Sequence, residues 1–307
     1  MRTGSLRLLA AVLLIAGATA AEASNPSMMA FLKTGAGADA VGMGDAVVSS
    51  VDGPNATYWN VGALGFLPGT QASVVHNESF QSVRQEFAGL THSFGKWAVG
   101  GSFLGTWTED IDSYDESANY LGQFAYYGLA AGLSGARRIG DAWSAGVTAK
   151  YVRDAFDVYS ASGLAFDIGI QGRGVLLPRL DAGLSILHLG AKMSYVEKSY
   201  DMPRTIQGGV SYLLPLSAIG SEALLAAEVR SILGEDASFQ TGIEYRIQQV
   251  ASLRVGYRSA LDTQDLSYGI GFRNGALSAD YAYVPFGEDL GAQHRVGLTY
   301  RHEPPRR

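Results

Sequence analysis

The sequence predicts an all-β protein: a closed transmembrane antiparallel β-barrel of about fourteen strands, with an N-terminal helical or irregular plug in its lumen. Three observations predict it. From about Thr70 to Arg301 apolar and polar residues alternate with a period of two, which puts successive side chains on opposite faces of a strand. No part of that stretch is apolar for the roughly 20 residues a membrane helix needs. A secretory leader precedes it, and long alternation behind a leader fits a barrel with lipid outside and polar residues inside.

The leader covers residues 1–23. Arg2 and Arg7 supply its positive end and Leu8 to Ala18 its apolar run, with small residues for cleavage at Ala18-Thr19-Ala20 or Ala21-Glu22-Ala23. Residues 24–69 follow as the plug segment, 70–301 as the barrel and 302–307 as a C-terminal tail. The chain has 307 residues, 47% hydrophobic but only 17% charged, with 39 Gly and 16 Tyr. That mix suits crowded backbones and tyrosines at a membrane boundary. A net charge of −6 without any basic cluster excludes nucleic acid as a partner. The lack of Cys excludes disulfides, a lipid-modified cysteine and thiolate metal sites. An exported, cysteine-free barrel belongs in a bacterial outer membrane, with lipid and the barrel-insertion machinery as its partners.

Turn signals divide the barrel into fourteen strands, beginning near Thr70, Arg84, Lys96, Gln123, Asp141, Val158, Arg179, Pro203, Ser221, Asp236, Val250, Gln264, Ala276 and Gln293. An even count returns both termini to the periplasmic side. The faces sort cleanly. Phe239, Thr241, Ile243, Tyr245 and Ile247 oppose Gln240, Gly242, Glu244 and Arg246, and Leu266, Tyr268, Ile270 and Phe272 oppose Ser267, Gly269, Gly271 and Arg273. An Arg facing lipid at mid-membrane costs roughly 2–4 kcal/mol, against a total stability of about 5–15 kcal/mol. Arg246, Arg254, Arg258 and Arg295 therefore face the lumen. A soluble sandwich also alternates, but its strands average about five or six residues. Many strands here reach the roughly 9–11 residues of a tilted crossing.

Phe94-Gly95-Lys96, Arg138-Ile139-Gly140-Asp141, Gln248-Gln249 and Asn274-Gly275 read as tight turns, all after even-numbered strands. The long connections, Glu109 to Gly122, Ala191 to Met202 and Pro285 to Ala292, follow odd-numbered strands. Short turns on one rim and long loops on the other is the outer-membrane pattern, and it puts Glu109, Asp110, Asp112, Asp115 and Glu116 outside the cell. Trp97, Trp107 and Trp143, near strand ends, read as interfacial girdle residues.

Both ends of the mature chain resemble a known family. The stretch from Phe31 to Ala46 contains Gly35, Gly37, Asp39, Gly42, Met43 and Gly44 and is followed by Tyr58-Trp59-Asn60. It is similar to the N-terminal signature of the PorV/PorQ outer-membrane barrels, themselves similar to FadL-type fatty-acid transporters. Leu277-Ser278-Ala279-Asp280-Tyr281-Ala282-Tyr283-Val284-Pro285-Phe286 and Gly242-Ile243-Glu244-Tyr245 also resemble this family. The resemblance implies a fourteen-strand FadL-like barrel with the N-terminal segment folded inside. It also implies work with exported cargo and components of a type IX-like secretion system at the cell surface. The chain departs from the pattern twice. Val61 stands where the family has proline, so Asn60 can still cap a helix but the fixed φ is lost. The chain also runs past Tyr300, which takes the place of the usual C-terminal aromatic residue.

No pattern of catalysis emerges, and no cofactor is expected. Gly35-Ala36-Gly37-Ala38-Asp39-Ala40 lacks the strand and βαβ unit of a dinucleotide fingerprint. Its small residues suit a plug packed in a narrow pore. The five histidines lie far apart, without metal-ligand spacing. Asp167, Glu228, Glu244 and Asp280 are lumen carboxylates that neutralise lumen arginines, among them Arg230. A turn at Gln249 sets Glu244 across from Arg254 and Gln240 across from Arg258, and cross-strand opposite charges contribute about 0.2–1 kcal/mol each. The leading functional expectation is a non-enzymatic barrel in protein secretion or cargo handling. The alternative is a FadL-like passage for hydrophobic small molecules, which needs an apolar pocket behind the plug and a gap in the wall.

Overall fold

A computed structural model describes residues 29–196, 198–216, 220–259, 265–287 and 290–302. The leader at 1–23 and residues 303–307 of the tail lie outside the described residues.

Alternation produces the wall. Fourteen strands close into one antiparallel barrel: β1 (Thr70–Glu78), β2 (Arg84–Phe94), β3 (Trp97–Trp107), β6 (Tyr126–Ile139), β7 (Trp143–Phe156), β8 (Tyr159–Gly172), β9 (Leu180–Gly190), β12 (Thr205–Leu216), β13 (Ser221–Ile232), β14 (Ser238–Ile247), β15 (Ala251–Arg258), β16 (Leu266–Asn274), β17 (Leu277–Pro285) and β18 (Ala292–His302). Each pairs with its sequence neighbour in the barrel, and β18 returns to β1 with Val74 opposite Leu298. Closure leaves the wall without a free edge strand, and the end of β8 above Ala165 lacks a partner on the β9 side. The sequence-derived starts fall within three residues of these. What the sequence misses are two short hairpins inside the long connections: β4 (Ile111–Tyr114) with β5 (Tyr120–Phe124), and β10 (Met193–Tyr195) with β11 (Lys198–Tyr200). Strands of three to five residues are too short for a period to register.

The outer face is apolar: Leu133, Val147, Leu164, Ile243, Ile270 and Leu298 all stand exposed. Trp97 is exposed at the end of β3, beside the rim of tight turns. Facing inward are Gln240 and Glu244 of β14, Arg295 of β18 and Asp167 of β8, all buried. The wall register breaks once, where Leu187 and His188 of β9 oppose Asp167 of β8 and His188 takes a φ of 60°. This is a β-bulge, which bends a strand and re-aims a side chain.

The Gln248-Gln249 turn is strained. Both residues have left-handed φ, 50° and 57°, a geometry that favours Asn-Gly. Replacing the pair by Asn-Gly is expected to stabilise the barrel by about 1 kcal/mol, read as a higher temperature for the heat-induced shift in gel mobility.

The segment from Met29 to Leu67 lies inside the barrel as short helices at Ala30–Lys33, Ala38–Gly42, Ala56–Trp59 and Val61–Phe66. Trp59, Leu64 and Ala56 are 0–1% exposed. The lumen is therefore a packed core, and a wholly polar interior is not what forms. Val75, Phe87, Leu104 and Val152 point inward and are buried against plug residues. A filled pore has no water to solvate polar side chains, so inward apolar residues are favoured there.

Candidate functional site

The plug is seated backbone to backbone. Wall glycines make this possible, because a side chain at those points would occupy plug atoms. A Cβ on Gly256 would stand 1.9 Å from the Gly44 nitrogen, and one on Gly183 would stand 2.1 Å from the Val48 oxygen. Gly269 faces Gly42 and Gly242 faces Met43 in the same way. On the plug side, Gly35 has a φ of 76°, with no room for a Cβ under the Trp59 ring.

Hydrogen bonds fix the position. Asn60 accepts from Gly62 N at 3.0 Å, capping the helix Val61–Phe66. Its amide donates to Val48 O (2.7 Å), Ile170 O (3.1 Å) and Gln171 Oε1 (3.0 Å). Ser185 and Gln207 both donate to Trp59 O, and Val48 N donates to Glu228 at 2.9 Å. Asp39 accepts from Asn55 at 2.9 Å. Burial, with Asp280 nearby, pushes its carboxyl up to about 6.

The structure places eight of the nine lumen charges in three groups and sets Arg295 apart from them. Arg254 joins Glu244 (2.8 Å) to Asp280 (2.7 Å), and Arg246 adds a second bond to Glu244 at 2.6 Å. Glu244 lies opposite Arg254 in register, and Gln240 opposite Arg258. Arg230 and Arg258 converge on Asp45 of the plug, at 3.7 and 2.8 Å, and Arg230 also bonds Glu228 at 3.1 Å. Arg295 stands apart. It is 1% exposed and donates to the plug carbonyls of Gly35 and Thr34, both at 3.1 Å, and to Gln85 at 3.4 Å. Asp167 bonds Lys150 at 2.8 Å rather than an arginine. Asp45, Lys150 and His188 are the members the sequence reading did not single out. Asp45 was legible only as one more acid in the plug.

Around the upper plug the lumen holds an apolar chamber. Val75, Phe87, Leu104, Ala130, Val152, Ala161 and Ala165 line it from β1, β2, β3, β6, β7 and β8. Plug residues Met29, Phe31 and Leu32 occupy it. A residual cavity of about 20 Å³ separates Leu32 and Tyr58 from Phe87, Leu104 and Ala130. The chamber floor is a buried polar trio, with Lys150 Nζ 2.8 Å from Asp167 and 2.7 Å from His188 Nδ1. Below the plug, on the rim of tight turns, lies a larger cavity of about 200 Å³ walled by Arg246, Arg273, Arg301, Asp52, Glu244 and Asp280. The lumen thus has two faces: an ionic one that holds the plug on β13 to β18, and one along β1 to β8 that is apolar above the Lys150–Asp167 pair.

Among solved structures the chain is similar to the Pseudomonas putida toluene transporter TodX (TM-score 0.64, 11% identity, 87% of this chain and 97% of that one). It is also similar to the CymD monoaromatic hydrocarbon channel (0.62, 12%, 89% and 99%) and to a Pseudomonas aeruginosa FadL homologue (0.56, 12%, 91% and 99%). At such identities the likeness establishes the fold. The chain has a FadL-like fold, a closed fourteen-strand barrel. No protein-family model and no curated sequence matches it, so the PorV/PorQ resemblance gains no support from those comparisons.

Proposed function

We propose that the protein is an outer-membrane channel for hydrophobic small molecules. The observation that carries it is the apolar chamber behind the plug. An interior serving only to close a barrel has no need to gather Phe87, Leu104 and Val152 on one side and, apart from Lys150–Asp167 at the chamber floor, the buried ion pairs on the other. Burying apolar surface contributes about 25 cal/mol per Å², so a hydrophobic solute that displaces Phe31 and Leu32 replaces their contacts at little cost. The fold is shared with proteins described as a toluene transporter and a monoaromatic hydrocarbon channel, which supports the same reading. A role in secretion rests on the sequence motifs alone.

The test is uptake of radiolabelled toluene by E. coli cells expressing the chain. Uptake should exceed that of cells with empty vector. Ala130→Phe, which fills the residual cavity, should lower it by an order of magnitude, with heat-modifiable mobility kept. Uptake equal to the vector control overturns the reading.

A further inference from the structure

The apolar chamber is closed from outside by something other than wall or plug. β8 reaches up to Tyr159 but pairs with β9 only from Ala165 downward, so its upper part has no ladder partner on that side. The β10–β11 hairpin occupies that place. Met193 and Met202 are 1% and 3% exposed, and a Cβ on Gly163 would stand 3.3 Å from Met193 Cγ and 3.1 Å from Met202 Cε. Both methionines belong to the same apolar cluster as Met29, Phe31 and Leu32. Above them, Tyr195 Oη donates a hydrogen bond to Asp154, which also accepts from Tyr126 Oη at 2.7 Å. Asp154 is 2% exposed and stands on β7 two residues beyond the chamber residue Val152.

We propose that the β10–β11 hairpin is a lid over the chamber, latched by the Tyr195–Asp154 hydrogen bond. The other lining residues of the chamber sit on barrel strands or on the plug, but this hairpin is a separate two-stranded sheet. A lone pair of three-residue strands has little stability of its own. It stays down through Met193, through Met202 two residues beyond β11, and through one phenol-to-carboxylate bond; methionines are flexible and adapt to changing neighbours. The Lys192–Asp201 pair at its base, at 3.1 Å, is 60% and 30% exposed and holds it only weakly. A latch of one charge-assisted bond suits a segment that must open often. The lid gains its purpose from the transport reading, but its opening is measurable without transport.

The chain lacks cysteine, so a single Val152→Cys reports access to the chamber. Its modification by a membrane-impermeant maleimide on intact cells should be slow. Tyr195→Phe should accelerate it by about ten-fold, the worth of one such bond, and Asp154→Asn should act in the same direction. An unchanged rate in both variants, with heat-modifiable mobility intact, overturns the lid. A Gly163→Cys/Met193→Cys pair, close enough for a disulfide, should block toluene uptake until dithiothreitol is added. Uptake that continues through the oxidised staple also overturns the lid while leaving the transport reading in place. Faster maleimide labelling without any uptake in the wild type supports the lid and sinks the transport reading instead.

Discussion

Gly256→Val is expected to unseat the plug while leaving the barrel closed. The added Cβ would stand 1.9 Å from the Gly44 nitrogen and 2.3 Å from the Met43 carbonyl carbon. These are backbone atoms, so no rotamer change relieves the clash. Gly44 is tied to Ser267 at 3.1 Å, and Asp45 next to it to Arg258. Yielding at Gly44 therefore disturbs the ionic anchor as well. Overpacking a close contact costs about 1–3 kcal/mol even where neighbours can move, and here they cannot without lifting Gly42 to Asp45 together. The β14–β15–β16 ladder is untouched, because the clash lies on the lumen side. Reconstituted in planar bilayers, the variant should conduct ions at least about ten-fold more than the wild type and lose protease resistance between residues 34 and 64. Gly135→Ala, which meets no atom within 4 Å, should change neither property. Wild-type conductance from Gly256→Val would show that the plug is not held by backbone contact.

How far the sequence discloses this follows from the range of each interaction. A period of two is local, so strands, faces and the Glu244–Arg254 register are legible from a few dozen residues. The tie from Asp45 to Arg230 and Arg258 spans about two hundred residues and has no local signature. The apolar chamber was hidden for another reason. Alternation sorts a strand into two faces but names the apolar one as lipid-facing, so Val75 beside Val74 and Leu104 beside Phe103 read as noise. Apolar residues on both parities were the available signal, as in any strand buried on two sides. They cluster in the first six barrel strands, where the chamber lies. The His188 bulge left no trace beforehand, since nothing about a histidine announces a φ of 60°.

Removing Arg254 is expected to cost more than removing any surface charge. Its side chain is 9% exposed and its guanidinium lies between two carboxylates, those of Glu244 and Asp280, whose side chains are 6% and 14% exposed. Without it Glu244 keeps Arg246, but Asp280 is left half-buried beside Asp39, with no ion-pair partner among the described residues. Breaking one side of a buried pair destabilises by about 3–5 kcal/mol, a large share of a total near 5–15 kcal/mol. Arg254→Met should therefore lower the temperature of the heat-induced mobility shift strongly, and Arg254→Glu, which adds a third carboxylate, should lower it further. Arg84 pairs with Glu109 at 3.0 Å, but the two are 41% and 61% exposed, so Arg84→Met should cost only about 0–1 kcal/mol. The decisive variant is the double one. Because the penalty comes from the stranded carboxylate, adding Asp280→Asn to Arg254→Met should raise the transition again, although one more ionic group is gone. A double variant no more stable than Arg254→Met alone would mean that the arginine acts through packing or its grip on the plug, and that charge balance across β14, β15 and β17 is not what braces the wall.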